Sequence, residues 1–446
     1  MQREKMSARE VALRAITAVR RKNAWADLAL GGLIDRYELS LRDAALASRI
    51  ANGVMQNMML CDFYISHFSS ICISKLEPVI HDILRLSVYQ LVFLDKIPPS
   101  AAVNEGVALA RKTSNPRAAG FVNAVLRKIA LSVERSNLPV VTGEMLQRLS
   151  VQYSHPIWLV KKFCNILDSD SVEKLLAANN DPDIPTTAQV NTLLTDSNNV
   201  LHLLHAAGVD AVRHEWLDDC IELHGAGNIT RLDAFQNGLI YIQDTAARLA
   251  VMAAEPKPGD IVIDGCAAPG GKSFTAAITM KNEGKVIAYD INQDKLRHIQ
   301  EGAKSLGITI LDVRENDALN PESLLVNKAD IVLADVPCSG FGVIRKKPDI
   351  RYKPYQDIAN LPDIQHQILS SLSLYVKPGG VLLYSTCTVL ESENEGVIDQ
   401  FLLENRTFSA EGFSLPGIGH VNRGMVTLWP HINGTDGFFI CKLRRR

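Results

Sequence analysis

The second half of the chain alternates apolar runs with amphipathic stretches, and this alternation limits the possible folds more than any other feature. Between residues 245 and 446 the apolar runs are, in order, DIVIDG, KVIAYD, ITILDV, ADIVLAD and GGVLLYST. Such runs are typical of buried strands, and helices between them make neighbouring strands parallel. We therefore expect a doubly wound, mainly parallel α/β sheet. The final stretch, MVTLWPHINGTDGFFICKL, predicts an antiparallel hairpin that closes the edge of the sheet.

Ligands bind beyond the carboxyl ends of the strands in such a sheet, so the segment after the first run is a candidate site. That segment is DGCAAPGGKS, residues 264–273. Its glycines allow the backbone to approach a ligand closely, although a purely structural turn would use the same residues. The loop also differs by one residue from a phosphate-binding loop, because Cys266 stands where GxxxxGK[ST] requires its first glycine.

Acidic residues follow the next three runs. Asp290 closes the second run, Asp317 follows the third, and Asp335 closes the fourth. A carboxylate in the position of Asp290 accepts hydrogen bonds from ribose hydroxyls in dinucleotide sites. Three acids would repel a triphosphate unless metal ions intervened, whereas they suit an adenosine that carries a positive charge. The pattern therefore favours a sulfonium cofactor over ATP.

Two cysteines follow strands that should be neighbours. Cys338 comes just after the fourth run and Cys387 ends the fifth. Free cysteine is usually a core residue, but chance poorly explains two thiols at ligand-facing strand ends. Cytosine C5 is a weak nucleophile, and addition of a thiolate to C6 turns C5 into an enamine-like carbon that can attack a methyl group. We interpret the two thiols as a candidate site for this chemistry.

The first part of the chain has a different pattern. Residues 7–133 repeat apolar residues at helical spacing, and residues 1–140 hold 19 Lys and Arg against 12 Asp and Glu, although the whole chain has a net charge of −2. This excess of positive charge suggests an anionic partner such as nucleic acid. Five cations gather on the last two predicted helices: Arg111, Lys112, Arg117, Arg127 and Lys128.

The composition excludes several other classes of protein. Charged residues interrupt every apolar run before it reaches the length of a membrane span, and the N-terminus lacks the apolar region of a secretory signal. The eight cysteines are scattered without a CxxC pair, so we predict no metal site, no disulfide framework and a cytoplasmic location.

Three stretches together resemble the NOL/NOP/Sun family of RNA cytosine-5 methyltransferases: CAAPGGKS, DVPCSGFGVIRKKPDI and STCTVLESENE. Two further stretches, LRLSVYQLVFLDKIPPSAAVNEGVALAR and FVNAVLRK, resemble the NusB-like helical RNA-binding domain fused to these enzymes. The resemblance implies a multidomain chain. Its expected parts are an all-α NusB-like domain (1–140), linker helices with a small α/β module (141–240) and a Rossmann-like class I methyltransferase domain (241–446).

The same resemblance implies an activity and residue roles. The chain would methylate C5 of one cytosine in small-subunit ribosomal RNA, with Cys387 as nucleophile and Cys338 assisting product release. S-adenosyl-methionine would be bound by Cys266, Ala267, Ala268, Pro269, Gly270, Gly271, Lys272, Asp290, Asp317 and Asp335. The sequence departs from the family pattern at Thr388, where serine is common, and at Gln189, where an RNA-contacting arginine is expected.

The segment VIRKKPDIRYK follows Cys338 closely and is rich in cations. We expect these cations to contact RNA phosphates: Arg345, Lys346, Lys347, Arg351 and Lys353. The expected protein is a monomeric enzyme that acts on ribosomal RNA without a membrane. The alternative is an RNA-binding ribosome assembly factor whose glycine-rich loop is structural or binds ATP, and Cys266 counts against it.

Overall fold

The computed structural model describes residues 6–22 and 26–446. Contacts between Cα atoms divide the chain into two compact units. We call Met1–Pro182 with Ile344–Lys353 the helical unit, and Asp183–Val343 with Pro354–Arg446 the sheet unit. The predicted boundaries at residues 140 and 240 describe a finer division, which remains a prediction.

Among its described residues the helical unit contains ten α-helices, as the helical periodicity predicts, and buried residues of the first seven form one apolar core. Pro99 and Pro116 occupy the first positions of two of the helices, where the missing N–H is harmless. The helices are α1 (Ala8–Lys22), α2 (Ala26–Arg36), α3 (Leu41–Gln56), α4 (Met58–Phe68), α5 (Pro78–Phe93), α6 (Pro99–Thr113), α7 (Pro116–Glu134), α8 (Met145–Gln152), α9 (Ile157–Cys164) and α10 (Ser169–Ala178).

The segment Ile344–Lys353 belongs to the helical unit although its sequence lies among the strands of the large sheet. It contains a short 3-10 helix, Pro348–Tyr352. Arg351 in this helix is fully buried, so the expectation that it contacts RNA phosphates is wrong. Its guanidinium donates within the unit to the carbonyl oxygen of Gln56 (3.1 Å) and to Oδ1 of Asn180 (2.7 Å).

The sheet unit begins with a small antiparallel sheet whose strand order is β2-β3-β1-β4. Its strands are β1 (Thr186–Val190), β2 (Asp210–Arg213), β3 (Cys220–His224) and β4 (Ile240–Ile242). The accompanying helices are α11 (Ser197–Ala206) and α12 (Asp233–Gln236), whereas α13 (Thr245–Ala254) follows β4 and packs in an apolar core of the large sheet. Gln189 on β1 is fully buried, and its side-chain amide donates a hydrogen bond to the carbonyl oxygen of Gln243 (3.1 Å). The side chain therefore takes part in hydrogen bonding inside this unit.

The large sheet has the order β10-β14-β9-β8-β5-β6-β7, with β13 paired to β14. Strands β9, β8, β5, β6 and β7 run parallel, and β14 is antiparallel to β9. Apolar clusters cover both faces. Its strands are β5 (Ile261–Asp264), β6 (Lys285–Asp290), β7 (Leu311–Glu315), β8 (Ala329–Asp335), β9 (Val376–Thr386), β10 (Phe408–Ala410), β13 (Met425–Leu428) and β14 (Phe438–Arg445). Two further strands, β11 (Phe413–Leu415) and β12 (Gly419–Val421), form a separate antiparallel pair.

Helices connect the parallel strands, which confirms the doubly wound architecture. They are α14 (Gly271–Thr279) between β5 and β6, α15 (Gln293–Ser305) between β6 and β7, and α16 (Leu361–Ser373) between β8 and β9, while β7 leads to β8 through a 3-10 helix, Ser323–Leu325. Two further helices are α17 (Glu395–Glu404), which follows β9, and α18 (Pro430–Asn433), which lies between β13 and β14. The predicted hairpin forms between β13 and β14, but α18 replaces a tight turn and β14 lies between β9 and β10. Among the described residues, no helix has the length and apolarity needed to cross a membrane.

Candidate active site

The predicted cofactor loop joins the end of β5 to the start of α14. Gly270 precedes the helix with a φ of 107°, and a Cβ atom there would lie 2.6 Å from the ring of Phe274. Glycine is required at this position because a side chain would be both strained and obstructed. The loop therefore directs the free N–H groups of the first turn of α14 to the carboxyl edge of the sheet.

Three carboxylates lie at or just beyond strand ends of the parallel sheet. Asp290 ends β6 and accepts a hydrogen bond from the backbone N–H of Ala268 (3.3 Å). Asp317 follows β7 and accepts from the backbone N–H of Leu319 (3.0 Å), while Asp335 ends β8. All three are partly exposed. Because parallel strands end at the same edge, these carboxylates share one edge with the glycine-containing loop.

Lys272 connects the loop to the end of β8. Its ammonium group lies 2.7 Å from Oδ2 of Asp335, whose Oδ1 accepts from the hydroxyl of Ser385 (2.8 Å) on β9. It also lies 5.1 Å from the ring centroid of Phe438. Burial disfavours the charged form, but attraction by Asp335 outweighs it and raises the pKa of Lys272.

Asp264, at the end of β5, is an acid whose importance the sequence analysis missed. Its side chain is buried; Oδ2 accepts from the hydroxyl of Ser273 (2.7 Å), whereas Oδ1 has no hydrogen-bond partner. Burial raises the pKa of this carboxyl to about 6. Its place at the start of the glycine-containing loop is visible in the sequence, but its burial is not.

The structure brings the two predicted catalytic thiols together. Strands β8 and β9 are paired neighbours, with Asp335 opposite Ser385, and Sγ of Cys338 lies 3.2 Å from Sγ of Cys387. Both residues are partly exposed at the carboxyl edge. The hydrogen bond with Cys387, together with burial, raises the pKa of Cys338 well above that of a free thiol.

A buried polar cluster behind the thiols was also not predicted. Glu393 accepts hydrogen bonds from the backbone N–H of Ser339 (2.9 Å) and from the side-chain amide of Gln365 (2.9 Å). The hydroxyls of Ser339 and Thr388 lie 2.8 Å apart. All four side chains are buried. Glu393 belongs to the quoted stretch STCTVLESENE, where nothing distinguishes this buried acid from its exposed neighbour Glu391.

The residues at this edge fit a positively charged adenosine cofactor. Three partly exposed carboxylates, a glycine that keeps the loop free of a side chain, and a helix N-terminus provide acceptors for hydroxyl and ammonium groups and donors for a carboxylate. Within residues 6–22 and 26–446, no cluster of three or more His, Cys, Asp or Glu could hold a metal ion.

Known proteins similar to this chain include ribosomal RNA methyltransferases. Residues 251–444 match the model for the 16S rRNA methyltransferase RsmB/F, residues 6–131 match the NusB family, and residues 155–230 match an RsmF/B-like ferredoxin-like domain. A probable ribosomal RNA small subunit methyltransferase B from Bacillus subtilis is 36% identical over 99% of this chain and 100% of its own length. The chain belongs to the RsmB/F family. This confirms the resemblance noted from the motifs.

Other relatives support the family assignment over nearly the whole chain. A ribosomal RNA small subunit methyltransferase B from Klebsiella pneumoniae is 30% identical over 92% of both chains. The crystal structure of PH0851 superposes with a TM-score of 0.82 and 28% identity, covering 99% of this chain and 100% of that one. A methyltransferase homologue from Pyrococcus horikoshii matches 68% of this chain and 100% of its own, with 28% identity and a TM-score of 0.59. The predicted order of helical, small α/β and methyltransferase domains is thereby confirmed.

Proposed function

We propose that this RsmB/F-family protein transfers a methyl group from S-adenosyl-methionine to C5 of a cytosine in small-subunit ribosomal RNA. The observation that carries the proposal is the pair of thiols, 3.2 Å apart, at the same sheet edge as three carboxylates. The residue set predicted from the resemblance, Cys266 to Lys272 with Asp290, Asp317 and Asp335, would hold the cofactor. When bound, the cofactor supplies an electrophilic methyl group.

The reaction begins with Cys387. Its thiolate adds to C6 of the cytosine, a carbon–sulfur bond forms, and the electron pair of the C5–C6 double bond becomes available at C5. C5 would then attack the methyl group, whose bond to sulfur breaks, and S-adenosyl-homocysteine would leave. Lys272 and Asp335 form an ion pair at this edge.

Cys338 acts after methyl transfer in this proposal. The proton on C5 passes to solvent water, and its electron pair re-forms the double bond as the C6–sulfur bond breaks. Cys387 then departs as a thiolate and the aromatic ring is restored. The thiol of Cys338, whose Sγ lies 3.2 Å from Sγ of Cys387, donates a hydrogen bond to the departing thiolate.

Ribosomal RNA is the proposed partner because the matched NusB family model covers the cation-rich part of the chain. The five cations on α6 and α7 predicted to contact an anionic partner are all exposed: Arg111, Lys112, Arg117, Arg127 and Lys128. The target base must be unstacked, since the thiol approaches its face. We further propose a monomer that acts in the cytoplasm.

A labelling experiment tests the reaction. The protein is incubated with ribosomal RNA and S-adenosyl-methionine carrying a tritiated methyl group, and the RNA is digested to nucleosides. The label is expected in 5-methylcytidine. Label confined to an exocyclic nitrogen or a ribose oxygen would reject the thiol mechanism.

Single substitutions separate the roles of the two thiols. Cys387→Ala should abolish both methylation and any denaturant-resistant protein–RNA adduct, whereas Cys338→Ala should transfer the methyl and then stall as an adduct. Cys72→Ala, at an exposed cysteine of the helical unit, is the matched control. An adduct that accumulates in Cys387→Ala and is absent from Cys338→Ala would show that the roles are reversed.

The alternative, an assembly factor with an ATP-binding or structural loop, predicts different ligands. Calorimetry with S-adenosyl-homocysteine and with magnesium ATP distinguishes the two. Binding of S-adenosyl-homocysteine alone supports the enzyme, and binding of magnesium ATP alone supports the assembly factor.

A further inference from the structure

We propose that Glu393 is a positioning residue that holds the Cys338 loop, residues 336–340, in place for product release. This role rests on the two-thiol reaction proposed above. Glu393 ends a 3-10 helix, Glu391–Glu393, that follows β9. Only 1% of its surface is exposed, so it acts through the loop rather than by touching RNA or cofactor.

Hydrogen bonds tie the residues on both sides of Cys338 to this carboxylate. The backbone N–H of Ser339 donates directly to Oε2 of Glu393 (2.9 Å). The carbonyl oxygen of Pro337 accepts from Nε2 of Gln365 (2.9 Å), and that amide also donates to Oε2 of Glu393 (2.9 Å). One carboxylate oxygen therefore fixes the loop immediately before and after the thiol.

Cys387 is held by other contacts. Strand β9 continues to Thr386, the residue before it, and pairs with both β8 and β14. The hydroxyl of Thr386 donates to Oδ1 of Asn394 (2.6 Å), whose amide donates to the carbonyl oxygen of Thr388 (3.1 Å). None of these contacts uses the carboxylate of Glu393. Loss of that carboxylate should therefore release Cys338 and leave Cys387 in place.

Packing alone does not account for an acid at this position. Oε1 of Glu393 and Oε1 of Gln365 are buried and make no hydrogen bond to the protein. Burying unsatisfied polar atoms costs stability, which an apolar pair of similar volume would avoid. What an apolar pair would lose is the attachment of Pro337 and Ser339.

The first test compares Glu393→Gln with Glu391→Gln, which removes the same charge from an exposed residue of the same 3-10 helix. In a single turnover, Glu393→Gln should transfer the methyl group and accumulate about tenfold more denaturant-resistant RNA adduct than the control. The accumulated adduct should carry the methylated base. A residue that only stabilises the fold would lower methyl transfer and adduct together.

The second test measures thiol positioning without RNA. Diamide takes two electrons and two protons from Cys338 and Cys387, forming a disulfide between them and becoming a hydrazine. The rate of this crosslink, followed by peptide mass spectrometry, should fall about tenfold in Glu393→Gln and stay unchanged in Glu391→Gln. Gln365→Met, which removes the donor to Pro337, should slow crosslinking in the same direction and serves if Glu393→Gln fails to fold.

Two results would overturn the proposal. One is a crosslinking rate in Glu393→Gln and Gln365→Met equal to that of the wild type. The other is loss of both methyl transfer and adduct in folded Glu393→Gln, since Cys387 would then also depend on this carboxylate. If crosslinking slows as expected but Cys338→Ala forms no adduct, the positioning contact stands and the two-thiol reaction is rejected.

Discussion

A partly buried lysine in the sheet unit and a fully buried arginine in the helical unit are held in opposite ways. Lys272 in the sheet unit pairs with the carboxylate of Asp335 at 2.7 Å, and this attraction raises its pKa despite burial. Arg351 in the helical unit donates to neutral oxygens, including the backbone carbonyls of Tyr153 (3.2 Å) and Asn179 (3.2 Å). Burial lowers the pKa of Arg351 to about 10.

The difference indicates that the charge of Lys272 belongs to a candidate ligand site, whereas the charge of Arg351 stabilises the fold. The partner of Lys272 is a partly exposed strand-end acid, so this ion pair is within reach of a ligand. Arg351 donates hydrogen bonds to carbonyl groups at helix ends and so anchors Ile344–Lys353 in the helical unit. Removing Arg351 should therefore affect folding most, and removing Lys272 should affect ligand binding most.

The largest expected effect is that of Arg351→Met. The variant leaves several buried oxygens without their donor, so the helical unit should lose about 3–5 kcal/mol of unfolding free energy. Hydrogen exchange of the amides in α3 and α8 measures this loss. Lys347→Met, at an exposed position in the same segment, is the control. Equal protection in both variants would mean that Arg351 is not the anchor.

Asp264, the second acid that attracts Lys272, gives a pH-dependent effect. Its pKa is about 6 in the folded protein and 3.8 in a model compound, so between these values the folded state binds more protons than the unfolded state. Wild-type stability therefore falls as pH rises through this window, and a neutral side chain escapes that loss. Relative to wild type, Asp264→Asn should gain up to about 3 kcal/mol between pH 4 and pH 7.

Urea unfolding of the cofactor-free protein at both pH values checks this prediction. Asp260→Asn, at the partly exposed residue just before β5, is the control. A stability difference between Asp264→Asn and wild type that stays constant with pH would show that Asp264 does not titrate in this window.

Lys272→Met should have a smaller effect, and on binding rather than folding. Loss of one charged contact at the cofactor edge should weaken S-adenosyl-homocysteine binding about tenfold. Titration calorimetry measures the affinity, and Lys295→Met, at an exposed residue of α15, controls for loss of charge. If Lys272→Met bound S-adenosyl-homocysteine with unchanged affinity but had a lower unfolding free energy, Lys272 would, like Arg351, mainly stabilise the fold.

The smallest effect, a change in the salt dependence of RNA binding, is expected at an exposed cation. This cation neither pairs with a strand-end acid nor donates to backbone carbonyl groups. Arg127→Gln on α7 should reduce the slope of log K for RNA binding against log salt concentration by about 0.7–0.9, provided that the side chain meets one phosphate. Filter binding over a salt series measures the slope. An unchanged slope would mean that Arg127 is solvated surface in the complex.

Several features of this protein follow from local sequence alone. The apolar runs predict β5 to β9, because a strand buried on both faces needs a continuous apolar stretch. The same pattern places Cys338 and Cys387 after neighbouring strands, since parallel strands end at one edge. Helical periodicity likewise predicts that residues 7–133 are helical, because the apolar spacing is a property of each segment.

Other features depend on contacts between residues far apart in the chain. From its sequence alone, the basic segment that contains Arg351 is expected to be exposed to solvent. Arg351 is a buried anchor only because this segment packs against α3 and the end of α8. Glu391 and Glu393 are alike in sequence, and their different burial depends on Gln365 and Ser339 coming to the same place. Local propensity and spacing carry no information about such distant partners. The tertiary structure alone therefore decides which charged side chains are buried, what they contact and how close the two thiols lie.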